Sequence, residues 1–404
     1  MLPEAKEWCF ILTPFLRALL KFLYLKFFNK FAVTFAKEII LTTTTHLHSA
    51  PLSAQENIHH ITLSPRRSSI VNWAIKLFAL AFFSYLLYVQ VIAKDGIHEM
   101  RNIFLRQLTW TYLPWLIAAW VLTPFNWAFE VFKWRTLLHR FEQISFFKAY
   151  QAVLAGVAFS IFTPNRIGEY GGRIMFIRPA NQLRAIIANL VGSFSQLLVI
   201  LSLGFTGLLF FLYEYWNLDT WMLRAIVMLG MVTTALLLYC YYNINTIVPL
   251  LSRLPFASRF KRFIKHVRVL KSYGTKELGQ TLLFSIARYI TYSLQYYFLL
   301  RFFGIEIPLL IGLASIATVF LLQTSIPLPP VTGLFARGEM ALYAWGLFGA
   351  SQFSSLSATF TLWIINLIIP ALFGMIILLR INIVKSLGYE KKTRHRHHKD
   401  HHEQ

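Results

Sequence analysis

The chain reads as an all-α, polytopic membrane helical bundle with two inverted, re-entrant broken-helix hairpins, and three observations lead there. Of its 404 residues, 56% are hydrophobic and only 14% are charged, against roughly a quarter charged in soluble domains. Several apolar runs approach the ~20 residues that a helix needs to span lipid, and the alternating pattern of barrel strands is absent. Two short apolar arms end in stretches that mix arginine, glutamate, glycine and proline: TPNRIGEYGGR at 163–173 and PLPPVTGLFARGE at 327–339.

The formal net charge of +22 argues against nucleic acid as a partner because of where the charge lies. Lys and Arg collect in the loops beside apolar segments, as in cytoplasmic loops facing anionic lipid. That pattern fits a multi-pass protein of a bacterial inner (plasma) membrane. Cys9 and Cys240 stand far apart with no redox or metal spacing, so no disulfide framework is implied. No phosphate-binding loop, GxSxG, HExxH or CxxC occurs, and no cofactor or metal site is expected. Without a nucleophile beside the carboxylates, the chain is not expected to be an enzyme by itself.

Three regions follow in order. Residues 1–64 form an N-terminal extension. Its 8–41 stretch is rich in Phe and Leu but carries Arg17, Lys21, Lys26, Lys30 and Lys37 on two sides of a helical wheel. It is read either as an interfacial helix lying on the membrane or as a non-native extension, followed by a polar linker with His46, His48, His59 and His60. Residues 65–385 hold the transmembrane domain, and 386–404 a basic, His-rich cytoplasmic tail. There a solvated tail near anionic lipid outweighs a metal-binding tract on His395, His397, His398, His401 and His402.

Within the transmembrane domain, spans are expected at 72–93, 108–131, 185–213, 221–242, 281–303 and 358–379. The loop at 243–280 carries eight Lys and Arg residues and belongs in the cytoplasm, while 214–220 carries none and belongs outside. Propagating that assignment places both termini in the cytoplasm, provided that each charged stretch is a re-entrant hairpin. The arm at 149–162 is about 14 residues, too short to cross as a helix.

The order span, charged hairpin, span occurs twice with opposite orientation. Inverted repeats with broken helices meeting near the midplane recur in transporters. Their broken ends expose backbone N–H groups and helix dipoles able to hold an anion. Pro164, Gly168, Gly171 and Gly172 in the first stretch, and Pro329, Pro330 and Gly333 in the second, are the expected backbone breaks. Arg166, Arg173 and Arg337 are the expected headgroup ligands, because a planar fork grips phosphate as Lys cannot. Glu169 and Glu339 would neutralise these arginines in the empty state or grip an amine headgroup. Fixed ion pairs bracing broken helices are the structural alternative. Asn126, Trp134 and Arg135 are placed near the cytoplasmic interface, as anchors or as lipid contacts.

The order Asn126, KWRTLL (133–138), TPNRIGEYGGR and PLPPVTGLFARGE resembles the transmembrane region of lysylphosphatidylglycerol synthases, which also occurs alone as a flippase-like membrane family. The resemblance covers about residues 70–385. Pro164, Arg166, Gly168 and Glu169 match the family's P-G-R-x-G-E pattern, with Asn165 where Gly is common. In the second motif Gly333 remains, while Pro330, Val331 and Thr332 depart. The resemblance implies an eight-helix-type domain that translocates a lipid with a polar or phosphate-bearing headgroup, a membrane phospholipid or a polyprenyl-phosphate lipid. The alternative is the membrane subunit of a lipid-modifying enzyme, such as a polyprenyl-phosphate-dependent glycosyltransferase system with a separate transferase subunit. Family synthases carry a soluble aminoacyl-transferase domain after the membrane part. This chain has only 385–404 there, so it is not expected to aminoacylate lipid alone.

Overall fold

A computed structural model describes residues 97–161, 163, 166–215, 219–246, 268–324 and 333–381. The N-terminal extension, the 72–93 span, Pro164, Pro329, Pro330 and the His-rich tail lie outside the described residues. Eleven α-helices follow in order among those described. They are α1 Ile97–Gln107, α2 Leu113–Leu138, α3 Phe146–Ser160, α4 Gly168–Ile174, α5 Gln182–Tyr215, α6 Thr220–Tyr242, α7 Thr275–Phe302, α8 Leu309–Thr324, α9 Gly333–Gly346, α10 Gln352–Trp363 and α11 Ile369–Arg380. No strand occurs among the described residues.

Length and polarity sort these helices. At 1.5 Å per residue, the 26 residues of α2, 34 of α5 and 23 of α6 span ~39, ~51 and ~34 Å, enough for a ~30 Å hydrocarbon core. The stretch Gln352–Arg380 is a fourth apolar crossing of 29 residues. By contrast α3, α8 and α9, at 15, 16 and 14 residues, reach only ~21–24 Å. The chain is thus a multi-pass membrane protein with short arms between its long helices.

α7 has 28 residues, yet it buries Thr281, Ser285, Ser293 and Gln295. Polar groups persist in lipid only when they face protein or water, and α7 packs along α2. The Gln295 side-chain amide donates to the Ala119 carbonyl at 2.9 Å and to Thr123 Oγ1 at 3.0 Å. Tyr296 shares a hydrogen bond with Thr359 at 2.7 Å and accepts one from Trp345 Nε1 at 2.9 Å. Helix ends are handled locally: Ser145 Oγ accepts from the Lys148 N–H and Ser351 Oγ from the Ser354 N–H. Gly304 takes φ 75° in the turn from α7 to α8, a conformation that costs glycine nothing.

One pairing repeats across the two halves. α3 packs on α11, and α8 packs on α5. Exchanging α2 with α7, α3 with α8, and α5 with α11 converts the first of these contacts into the second.

Glycines set the closest approaches. A Cβ on Gly172 would lie 2.5 Å from the Gly156 nitrogen, one on Gly168 2.2 Å from the Phe159 carbonyl oxygen, and one on Gly374 2.0 Å from that of Leu154. α3 is therefore held at backbone contact by α4 on one side and α11 on the other. Between α10 and α11, residues Ile364–Ile368 form a π turn. Pro370, which has no N–H to give, follows it in the first turn of α11.

Candidate functional site

The buried face of α2 carries Asn126, Glu130, Lys133 and Trp134, the last two lying three and four residues after Glu130. Asn126 and Trp134, expected as anchors or lipid contacts near the cytoplasmic interface, are 2% and 1% exposed and point into the bundle, so they do not face lipid. The reason is the helical period, which brings them onto the stripe of Ala119, Trp127 and Leu137 that packs inward. Arg135, on the neighbouring face, is half-buried and donates through Nε to the Ile144 carbonyl at 3.1 Å.

Glu130 is the centre of a buried ion cluster. One carboxylate oxygen meets Lys133 Nζ at 2.6 Å and Arg288 at 2.5 Å, while the other meets Arg173 at 2.9 Å. Arg173 also pairs with Glu169 and donates to Asn189 Oδ1 at 2.6 Å. Its guanidinium lies 5.4 Å from the centre of the Trp134 ring. Only 1% of Arg173 is exposed. The residue braces α4 against α2 and α5 and is not among those lining the cavity described next.

Beside this cluster opens a cavity of about 310 Å³, within the range of small-ligand sites. Three arginines line it, Arg166, Arg288 and Arg337, together with the amides of Asn126, Gln196, Gln323 and Asn366. Trp127, Tyr289, Tyr292, Phe320 and Trp363 add an aromatic side, and Ile200, Thr324 and Leu367 complete the wall. Arg166 has φ 58°, the only non-glycine residue with positive φ among those described. The chain therefore turns at Arg166, before the glycines assigned to the break. Gly168 begins α4, whereas Gly171 and Gly172 lie inside it and Gly333 begins α9. Arg166 Nε approaches Glu169 at 3.5 Å.

Arg288 is held by Glu130, by Asn126 Oδ1 at 3.3 Å, and over the Trp127 ring at 5.1 Å. Asn126 in turn donates to Asn366 Oδ1 at 2.8 Å, which ties α2 and α7 to the π turn. Arg337 has no acidic partner among the described residues and lines the same cavity as Arg166. Glu339 is exposed and does not line the cavity. The fold thus brings Arg166, Arg337 and Asn126 together on one hollow, with Glu169 behind them and Glu339 elsewhere.

Glu130 and Arg288 escaped the sequence reading, although a signal existed. Each is an ionisable residue within an expected span, 108–131 or 281–303, where charge is costly and marks a polar interior.

A family profile described as the lysylphosphatidylglycerol synthase TM region matches residues 68–374. The chain belongs to that family. No curated protein matches it. The matched stretch contains both charged hairpins and every residue of the cavity wall, so the basic hollow is part of the lysylphosphatidylglycerol synthase TM region.

A second hollow of about 770 Å³ lies at the C-terminal end of α2, lined by Arg135, His139, Arg140, Lys276 and Glu277 among others. Here Arg140 pairs with Glu277, whose carboxylate accepts from the Gly274 N–H at 3.0 Å. Glu277 sits in the polar first turn of α7, ahead of the apolar stretch. Desolvation pushes its carboxyl up most strongly of any single influence, but backbone N–H donors and Arg140 together hold it below the ordinary value.

Proposed function

We propose that this chain binds a lipid by its phosphate-bearing headgroup and passes it across the membrane, a flippase-like activity without cofactor or chemical step. The observation that carries this reading is the cavity inside an apolar bundle with three arginines and no carboxylate on its described wall. Arg337 has no acidic partner among the described residues, and a lipid phosphate would supply one that arrives from the bilayer itself. The family's name points to phosphate-bearing lipids as well.

In this reading Arg166, Arg288 and Arg337 take the phosphate while Asn126 and Asn366 hold α2, α7 and the π turn in register. Acyl chains remain in the bilayer while the headgroup passes the cavity. The two hairpins enter from opposite sides, so that rocking one half against the other exposes the cavity alternately. Glu130 and Glu169 keep the arginine cluster tolerable while the cavity is empty. Both termini face the cytoplasm of a bacterial inner membrane.

The test is reconstitution of the purified chain into vesicles carrying a tail-labelled phospholipid, with the outer-leaflet label destroyed chemically. Translocation should exceed that of protein-free vesicles. Arg337→Ala should slow it about tenfold or more, since a charge-assisted hydrogen bond contributes about 1.5–3 kcal/mol. Rates equal to those of empty vesicles would end this reading.

A further inference from the structure

We infer that the second hollow, where the C-terminal end of α2 meets the first turns of α7, holds the phosphate of an anionic phospholipid as a resident ligand. It is separate from the central cavity, with which it shares no lining residue. Two facing stripes build it. On α2, Phe132, Thr136 and Arg140 follow one another at a spacing of four, and on α7 Lys276, Gln280 and Phe284 do the same in the opposite direction. The Phe132 and Phe284 rings stack at 5.6 Å and 27° at one end, and Arg140 pairs with Glu277 at the other. Each stripe therefore grades from an aromatic ring through a neutral polar side chain to a cation, within ~12 Å of helix. A phospholipid grades in the same order, from acyl chain through ester to phosphate, across an interfacial layer of about 5–8 Å. Phe132 is 37% exposed, which leaves an apolar surface for the chains.

The charges in this hollow favour an anion once its own pairs are set aside. Glu277 is held by Arg140 and by the Gly274 N–H. Glu142 accepts from Asn181 Nδ2 at 2.6 Å and lies 3.5 Å from Arg178 Nε. Arg135 commits only Nε among the described residues, to the Ile144 carbonyl, and keeps both terminal nitrogens for a ligand. Lys276 is exposed and has no acidic partner among the described residues. A guanidinium fork and an ammonium on facing helices suit a phosphate, and basic pockets between membrane helices on the cytoplasmic side take anionic headgroups. The distribution of Lys and Arg assigns this end of α2 and α7 to that side. A soluble anion would meet the same cations but leave the exposed ring uncovered, so the aromatic floor decides for lipid. Bridging Arg135 and Lys276, the phosphate ties together the two helices that supply Glu130 and Arg288.

The experiment follows acetylation of individual lysines by a limiting amine-reactive ester, read by peptide mass spectrometry. The full chain is held in lipid nanodiscs of phosphatidylcholine, with or without added phosphatidylglycerol. Exposed Lys148 and Lys271, which do not line the hollow, report the general effect of an anionic surface. Relative to them, Lys276 should react about fivefold more slowly in the anionic discs, the factor that one cation beside anionic lipid is worth. Arg135→Gln should remove this protection. Because Arg135 also holds the Ile144 carbonyl, a second variant is needed: Gln280→Glu sets a carboxylate between the stripes at an exposed position and should remove it too. Both variants are compared at a melting temperature matching the wild type. If Lys276 slows no more than the two reference lysines, or stays protected in both variants, the site is overturned. If glycerol 1-phosphate in pure phosphatidylcholine discs protects Lys276 as well as phosphatidylglycerol does, the ligand is a soluble anion and the lipid assignment falls.

Discussion

Arg173 and Arg337 come from the two charged hairpins, and the fold treats them in opposite ways. Arg173 is enclosed, shared between Glu130, Glu169 and Asn189, and stacked near Trp134. Arg337 lines the cavity, without an acidic partner among the described residues, while Glu339 two positions on is exposed. The helices differ likewise. α4 folds back on α3 through glycine contacts, whereas α9 packs chiefly on the following helix, α10. The first hairpin spends its charge on bracing, the second leaves its charge for a ligand, and similar letters therefore carry different work.

The largest effect should separate these two arginines. Arg173→Ala leaves Glu130 and Glu169 buried with fewer partners, and breaking a buried pair by removing one member costs about 3–5 kcal/mol. Thermal unfolding in detergent should show that loss. Arg337→Ala breaks no ion pair among the described residues, so its melting temperature should stay near the wild type while translocation falls. A variant pair with equal melting losses would erase the distinction between bracing and binding hairpins.

A smaller effect should distinguish neighbouring glycines of α4. Gly172→Ala forces a methyl to 2.5 Å from backbone that cannot yield, an overpacking cost of about 1–3 kcal/mol. Gly171→Ala has nothing within 4 Å and should be neutral, or stabilise by up to about 1 kcal/mol, because alanine favours helix. Melting curves of the two variants check this directly. Equal destabilisation would mean that flexibility rather than close packing is what the glycines supply.

These contrasts also explain what could be read in advance. Apolar length alone marks α2, α5 and α6, and the arm at 149–162 is short in the fold as in the sequence, because hydropathy is a local property. Charge beside Pro and Gly also marked Arg166 and Arg337, which line the cavity. What escaped depends on partners distant in the chain. Arg173 meets a carboxylate 43 positions away and Arg288 the same carboxylate 158 positions away, so no local window shows that one is consumed and the other shared. Gly172 looked like a break because its neighbour Gly156 was out of view. Asn126 and Trp134 looked like interface anchors because the inward stripe of α2 is visible only once α7 lies along it.

The smallest expected effect lies outside the buried cluster, at Arg140 and Glu277, and measures how much burial contributes to the hairpin contrast. The same pairing of guanidinium and carboxylate occurs there, but the Arg140 side chain is 45% exposed, so solvent screening leaves about 0.5 kcal/mol or less. Because the Glu277 carboxyl is held below its ordinary value, the ionised form is favoured in the folded state. Its stabilisation is present above that ordinary value and is lost as pH falls through the depressed one. Glu277→Gln should therefore lower the melting temperature slightly at pH 7, with the gap to wild type closing below about pH 4. The buried Arg173 pairs should show a loss several times larger under the same conditions. Should Glu277→Gln cost as much as Arg173→Ala, burial would not be what makes the first hairpin rigid, and the division of labour between the hairpins would need another cause.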